Sequence, residues 1–314
     1  MADLIHVQVV APAALRDDVT RYIEELGAGC NVIVMADAAR QPHGDVITFD
    51  LAREAVNEVL GHLEDLGVVE HGSITVFHTE LTLSRAAELA QARAPGEPED
   101  AVIWDEVAAM LRGSVILSWG YLAFFIVAAV IAAVGVLTDS SILIVGAMVV
   151  GPEYAPLAGV AFGIFHRDGR LVRRGLGTFS VGTVVAVGAA IVVGLFVRVI
   201  DRVPEPYRLD ERELTTFIAD PDVFTVIVAV AAAVAGMLAL TQDRAGTLVG
   251  VLISVTTIPA IAEIGIGVAL GRGDDVVGAL AQLGLNLVCL VLAGVATLLV
   301  LRRISPGLPA ATFP

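Results

Sequence analysis

Two hydrophobic segments are each interrupted by proline near mid-membrane depth: GAMVVGPEYAP (Gly146–Pro156) and GVLISVTTIPA (Gly250–Ala260). About 20 apolar residues span a bilayer core as a helix. A proline inside such a helix removes a backbone donor and clashes with the preceding turn, leaving carbonyls without partners. In hydrocarbon those groups have to be met by protein, by cavity water or by a ligand. The two interruptions begin 104 positions apart, at 146 and 250. Matched breaks in two halves of a membrane chain predict a binding site or permeation path between inverted repeats.

Composition fits a chain that faces lipid. Of its 314 residues 56% are hydrophobic, and the mean hydropathy of +0.82 is too apolar for a soluble protein of this size. The net charge of −15 is unevenly placed. Residues 1–111 carry 6 Arg against 20 Asp and Glu, whereas 112–314 carry 13 Arg against 14 acids. An acidic front domain argues against a nucleic-acid partner, which needs a basic face. Cys30 and Cys289 lie in different regions, so neither a disulfide framework nor a metal cluster is indicated. The opening MADLIHVQVVAPAALRDD turns polar too soon for a signal peptide, which predicts a cytoplasmic front domain.

Residues 1–80 read as strands and helices in the order βαββαβ. The strands are Leu4–Val10, Asn31–Ala36, Asp45–Asp50 and Ser73–Phe77; helices run from Pro12 to Leu26 and over Leu51–Leu66. This is the split, ferredoxin-like α+β plan, with helices on one sheet face and the other free to pair with a second copy. The loop from Arg40 through Gln41, Pro42 and His43 to Asp45 is its densest polar cluster. Arg40, Gln41, His43 and Asp45 are candidates for contacting a small-molecule effector, or else form an ordinary strand connection. The five histidines of this region, His6, His43, His62, His71 and His78, show no metal-ligand spacing. Residues 81–112 form a helical linker broken at APGEPED (Ala94–Asp100) and resuming as an amphipathic helix. Trp104 and Trp119 bracket the membrane entry as interfacial anchors do; Trp104 packing on the front domain is the other reading.

Residues 113–303 form an α-helical integral membrane domain, followed by a tail over 304–314. Six spans are expected: Val115–Leu137, Ser141–Phe165, Leu176–Ile200, Val223–Leu240, Thr247–Leu270 and Val276–Leu301. Arg167, Arg170, Arg173, Arg174, Arg244, Arg302 and Arg303 then fall on the cytoplasmic side, and the acid-rich Asp201–Asp222 excursion falls outside. The excursion's Arg198, Arg202, Arg208 and Arg212 run against that trend. Sliding residues 139–193 by 104 aligns Asp139 with Asp243, Gly163 with Gly267 and Gly169 with Gly273 without a gap. Three spans per half is an odd number, so the second repeat would insert upside down.

The first break gathers Pro152, Glu153 and Pro156; an ionisable group at mid-span is expensive unless it has a role. The second gathers Thr256, Thr257 and Pro259, with Glu263 a helical turn beyond. Gln282 and Asn286, at i and i+4 on the last span, can complete a polar lining. The structural alternative is a pair of tolerated kinks with interhelical hydrogen bonds. Asp139 and Asp243 form a membrane-boundary acidic pair.

The run TDSSILIVGAMVVGPEYAPLAGVAFGIFHRDGRLVRRGL (Thr138–Leu176), with AGTLVGVLISVTTIPAIAE and QLGLNLVCLVLAG, resembles the uncharacterised membrane proteins grouped as domain-of-unknown-function family 389. The stretch Gly44–Val76 resembles the cytoplasmic part of members. The resemblance implies the membrane architecture and no substrate. Glu153 stands where members more often carry an apolar residue, and Pro259 stands alone where a proline pair is typical.

The reading is an oligomeric transporter or channel for a small solute or ion, dimeric or trimeric, in the cell membrane with both termini cytoplasmic. Its front domain senses an effector. The alternative is a non-conducting, membrane-anchored sensor or scaffold for a nucleotide-like effector. No nucleophile–base set, phosphate loop or metal-ligand spacing points to an enzyme, a cofactor or a metal.

Overall fold

The computed structural model describes residues 4–79, 81–94, 96, 101–209, 212, 214–215, 218, 222–242 and 257–305. The chain divides into two compact units, Met1–Val107 with Leu301–Pro314, and Ala108–Val300.

In the first unit, alternating β-branched residues set the strands and glycines set the turns. The order is β1 (Leu4–Ala11), α1 (Arg16–Leu26), β2 (Gly29–Arg40), β3 (His43–Ala52), α2 (Val56–Asp65), α3 (Val68–His71) and β4 (Ser73–His78). Helix α1 ends on Gly27, whose φ of 70° is the left-handed conformation that glycine adopts without a Cβ penalty. The sheet is antiparallel throughout, in the order β2-β3-β1-β4. Both crossovers therefore skip a strand.

Register gives the two faces different chemistry. Ile5, Val7 and Val9 pair with Leu51, Phe49 and Ile47, and all six are fully buried in the core with Val19 and Ile23 of α1 and Val59 and Leu63 of α2. On the opposite face His6 lies between Asp50 and Phe77. There Asp50 accepts a hydrogen bond from Asn31 (2.6 Å) and meets His6 Nδ1 at 2.7 Å. Ile33, Met35 and Phe77 remain exposed beside them.

The helix α4 (Arg85–Arg93) buries Ala87 and Ala90 in the same core. Trp104, which opens α5 (Trp104–Ser114), is also fully buried. Its backbone N–H donates to Asn57 and its indole N–H to the Ser305 carbonyl. Of the two readings for Trp104, packing within the front unit is the one observed. Trp119 is exposed at the start of the next helix, as an interfacial anchor would be.

The second unit is helical: α6 (Trp119–Leu137), α7 (Ser141–Val150), α8 (Tyr154–His166), α9 (Gly169–Val199), the short α10 (Glu205–Arg208), α11 (Val223–Thr241), α12 (Thr257–Leu270) and α13 (Gly273–Ile304). Ser118, Ser140, Asp168 and Asp222 each cap the helix that follows, accepting from its first-turn amides. Helices α6, α9, α11 and α13 are long and apolar enough to cross a membrane, and α7 with α8, bent by 55° at their joint, is either a fifth, broken crossing or a re-entrant loop. At 14 residues α12 extends roughly 21 Å, short of a core of about 30 Å. The fifth expected span, Thr247–Leu270, begins outside the described residues.

Burial sorts the helices into two shells. Every residue of α12 from Thr257 to Gly267 is buried, as is α8 from Pro156 to Gly163. The long helices instead expose Phe124, Val184, Val192, Phe196, Phe224, Ile227, Val288 and Leu292. So much apolar surface is stable only against lipid or protein.

One glycine of the sheet tests the close approach of β1 and β3. A Cβ on Gly44 would overlap the Ala11 carbonyl and sit 3.3 Å from the Pro12 nitrogen. Gly44→Ala should cost the front unit about 1–3 kcal/mol through overpacking, read as lost hydrogen-exchange protection in β1 and β3.

Candidate functional site

The break between α7 and α8 is local in origin. Helix α7 ends at Gly151, whose backbone is extended, and Pro152 follows in the joint. Glu153 occupies the N-cap position of α8 but makes no capping hydrogen bond. Pro156 is the third residue of α8, and Pro259 the third residue of α12. The expected mid-helix prolines are therefore first-turn prolines, placed where a backbone N–H has no intrahelical acceptor. Breaking the helix earlier, at Gly151–Pro152, removes the clash that an unbroken helix would suffer.

The two breaks meet. A point one Cβ bond from Gly151 is within 2.6 Å of Ile258 Cγ1, in the first turn of α12, and also overlaps a carboxylate oxygen of Glu153. Gly151 thus provides the space in which the Glu153 side chain folds back. Glu153 is fully buried. Its own backbone N–H attracts the carboxylate, but neither oxygen forms a hydrogen bond with any described residue. Thr257, adjacent to Ile258, is also buried, and its hydroxyl has no hydrogen-bond partner among the described residues. The Tyr154 hydroxyl is in the same condition; it enters a slot at Gly236 of α11 that a Cβ would fill. Tyr121 of α6 is within electrostatic reach of Glu153. The first turns of α8 and α12 therefore meet at Gly151, beside the Glu153 carboxylate.

Glu263 belongs to a different cluster, six residues and roughly 9 Å further along α12. Its Oε1 accepts from Arg212 (2.9 Å) and from the Tyr207 hydroxyl (3.3 Å). Arg212 also donates to Asp275 (3.0 Å), which Arg272 meets at 2.7 Å. Arg272 donates to the Tyr207 carbonyl (2.6 Å), and both guanidinium groups lie over the Tyr207 ring, at 4.5 and 5.1 Å. Burial pushes the Tyr207 hydroxyl above its usual range, with Glu263 and Asp275 adding to the rise. Burial also opposes the Arg212 charge, but Glu263 and Asp275 outweigh it and hold the guanidinium above its ordinary value. At the α6–α7 turn the Asp139 carboxylate accepts from the Leu214 and Thr215 amides and the Thr215 hydroxyl. The excursion after α9 is thereby fastened to the α6–α7 turn, the middle of α12 and the start of α13.

The remaining expected residues are dispersed. Gln282 and Asn286 are buried on α13. Thr256 and Asp243 lie outside the described residues. In the front unit Arg40, Gln41 and His43 are exposed at the β2–β3 turn. Asp45 is buried, accepting from Arg16 Nε and the Asp37 amide. A separate cavity of about 260 Å³ in this unit is lined by Leu60, Val76, His78, Ile103, Asp105 and Glu106. Sequence reasoning did not assign roles to Tyr154, Gly236, Tyr207, Arg272 or Asp275. An aromatic and arginines within an acid-rich excursion were the available signal.

A multi-pass protein of apolar helices, with a buried carboxylate where a helix breaks, is what these features define. Residues 148–292 match the model of the family described as "Domain of unknown function (DUF389)", the family that the sequence resembles. The chain is also 21% identical over 179 residues to "Uncharacterized protein MJ0678" of Methanocaldococcus jannaschii, an alignment covering 57% of this chain and 53% of that protein. The chain thus matches about half the length of this curated relative. No solved structure matches the chain.

Two outcomes follow. Arg212→Ala leaves Glu263 charged and buried, and should cost about 3–5 kcal/mol, measured by thermal unfolding in detergent; the paired change Arg212→Met with Glu263→Leu should recover most of it. At the front unit, the Arg16 hydrogen bond, then the Asp37 amide, hold the Asp45 carboxyl below its ordinary 3.8. That stability is present above the ordinary value and is lost as pH falls through the lowered one. Arg16→Gln should therefore flatten the loss of stability below about pH 4, read from acid unfolding curves.

Proposed function

We propose that the chain is a membrane transporter or channel for a small solute or ion, built on two inverted three-helix repeats. The carrying observation is Glu153, buried without a hydrogen-bonding partner among the described residues where two helix N-termini meet. Sites of this kind, at the junction of broken helices, are where inverted-repeat transporters bind substrates and coupling ions.

Helix bounds support the repeat. Helix α6 runs from 119 to 137 and α11 from 223 to 241; α9 starts at 169 and α13 at 273; α8 ends at 166 and α12 at 270. Every one of these pairs differs by 104. The turns correspond as well. Arg167 and Gly271 both have positive φ, 59° and 78°, followed by bonds from Asp168 N to the Gly163 carbonyl and from Arg272 N to the Gly267 carbonyl, each 2.8 Å. Packing between halves is reciprocal: Ala161 of α8 faces Gly294 of α13, and Ala190 of α9 faces Gly265 of α12.

Orientation follows from the same account. Asp139, the 201–222 excursion and Asp275 are hydrogen-bonded together, so they share one side, while Arg167, Arg170, Arg173 and Arg174 occupy the opposite turn. By the positive-inside rule the latter side is cytoplasmic. The front unit then serves as an effector-sensing regulator, with its 260 Å³ cavity as the place for a small ligand. Its second sheet face, bearing Ile33, Met35 and Phe77, suits self-association into a homo-oligomer.

Purified protein in liposomes should carry flux of at least one small solute or ion, and Glu153→Gln should reduce it tenfold or more. A folded wild type that moves nothing would reject transport and leave the anchored-sensor reading.

A further inference from the structure

The Glu153 carboxylate poses a problem of charge. Both oxygens are buried and lack hydrogen-bond partners among the described residues, and a bare carboxylate at membrane depth is neutralised by a cation or by a proton. The chain has no lysine. Helix α7 carries no titratable residue, nor does α11, and α6 offers only Tyr121. On α8 they are Tyr154 and His166, the latter in its last turn; on α12, Glu263, already held by Arg212. The charges of α9 (Arg170, Arg173, Arg174, Arg198) and α13 (Asp274, Asp275, Arg302, Arg303) lie in their terminal turns, and Cys289 is the remaining titratable group of α13.

A divalent metal fits poorly. Ca²⁺ takes six to eight oxygens, and Mg²⁺ demands an octahedron; no group of three His, Cys, Asp or Glu side chains that could hold a metal gathers among the described residues. Space argues the same way, because the carboxylate already fills the position a Gly151 Cβ would take, against Ile258. A proton needs no added volume.

We propose that Glu153 is a reversible proton-binding site and, resting on the transport reading above, that the transported or coupling ion is H⁺. The carboxyl takes up a proton from one side and releases it to the other, with no other bond made or broken. The buried Thr257 hydroxyl, next to Ile258 in the first turn of α12, offers donor and acceptor capacity.

Infrared difference spectroscopy on the full chain in lipid, stepped in pH, tests this directly. The expected result is a carboxylic C=O band that appears on acidification, vanishes in Glu153→Gln and shifts in Glu153→Asp. If the Gln variant does not fold, the shift in the Asp variant decides alone. A spectrum unchanged by either substitution overturns the proposal, as does a Glu153 band that does not titrate. So does a carboxylate signal that answers to added Na⁺ or K⁺ at fixed pH and not to pH. Because the band needs no transport, the two readings fail separately. A titrating Glu153 in a protein without flux sinks transport alone; flux in liposomes with no titrating Glu153 sinks the proton site alone.

Discussion

Backbone that departs from helical geometry at membrane depth has to be enclosed, because lipid offers its amides and carbonyls nothing. The arrangement of the second unit follows from that requirement. Two short apolar elements next to breaks, α8 and α12, are its most buried, while α6, α9, α11 and α13 expose many of their large apolar side chains. Small residues make the enclosure close: Gly159 and Gly175 admit neighbouring backbone or valine side chains, and Gly265 sits against Ala190. Such contacts replace the hydrophobic effect as the source of helix association in lipid.

Within that enclosure, two carboxylates on neighbouring elements have opposite surroundings. Glu263 is met by a guanidinium and a phenol. Glu153, whose side chain folds onto a glycine, is met by neither. A buried ion pair contributes little net stability but resists losing one member, which suits Glu263 to holding helices in place. A carboxyl without such a partner has no comparable structural use, and its burial weakens the fold unless a function requires it.

Much of this was legible in the sequence. Alternating β-branched runs mark β1, β3 and β4, and a serine or aspartate stands immediately before the apolar runs of α6, α7 and α11. The break at Gly151–Pro152 and the carboxylate inside it are visible as residue types. What was not legible depends on distant pairings. Arg212 reaches a glutamate 51 residues away, and Tyr154 needs the missing side chain of Gly236, on another helix. Sequence position separates Glu153, inside its break, from Glu263, a turn beyond its proline, but nothing local shows that Glu263 has a guanidinium partner and Glu153 none among the described residues. The prolines themselves mislead by position: a break one or two residues earlier turns a helix breaker into a first-turn residue. Trp104 was ambiguous for the same reason, because its partners Asn57 and Ser305 lie 47 and 201 residues away.

The excursion after α9 has a mechanical meaning beyond its chemistry. Through Asp139 it is tied to the end of α6, through Glu263 to α12 and through Asp275 to the start of α13. Three elements so joined behave as a hoop. Movement of these helices against one another must either rupture several charged hydrogen bonds at once or leave the hoop intact and splay the far ends, as the legs of a tripod spread below a fixed head.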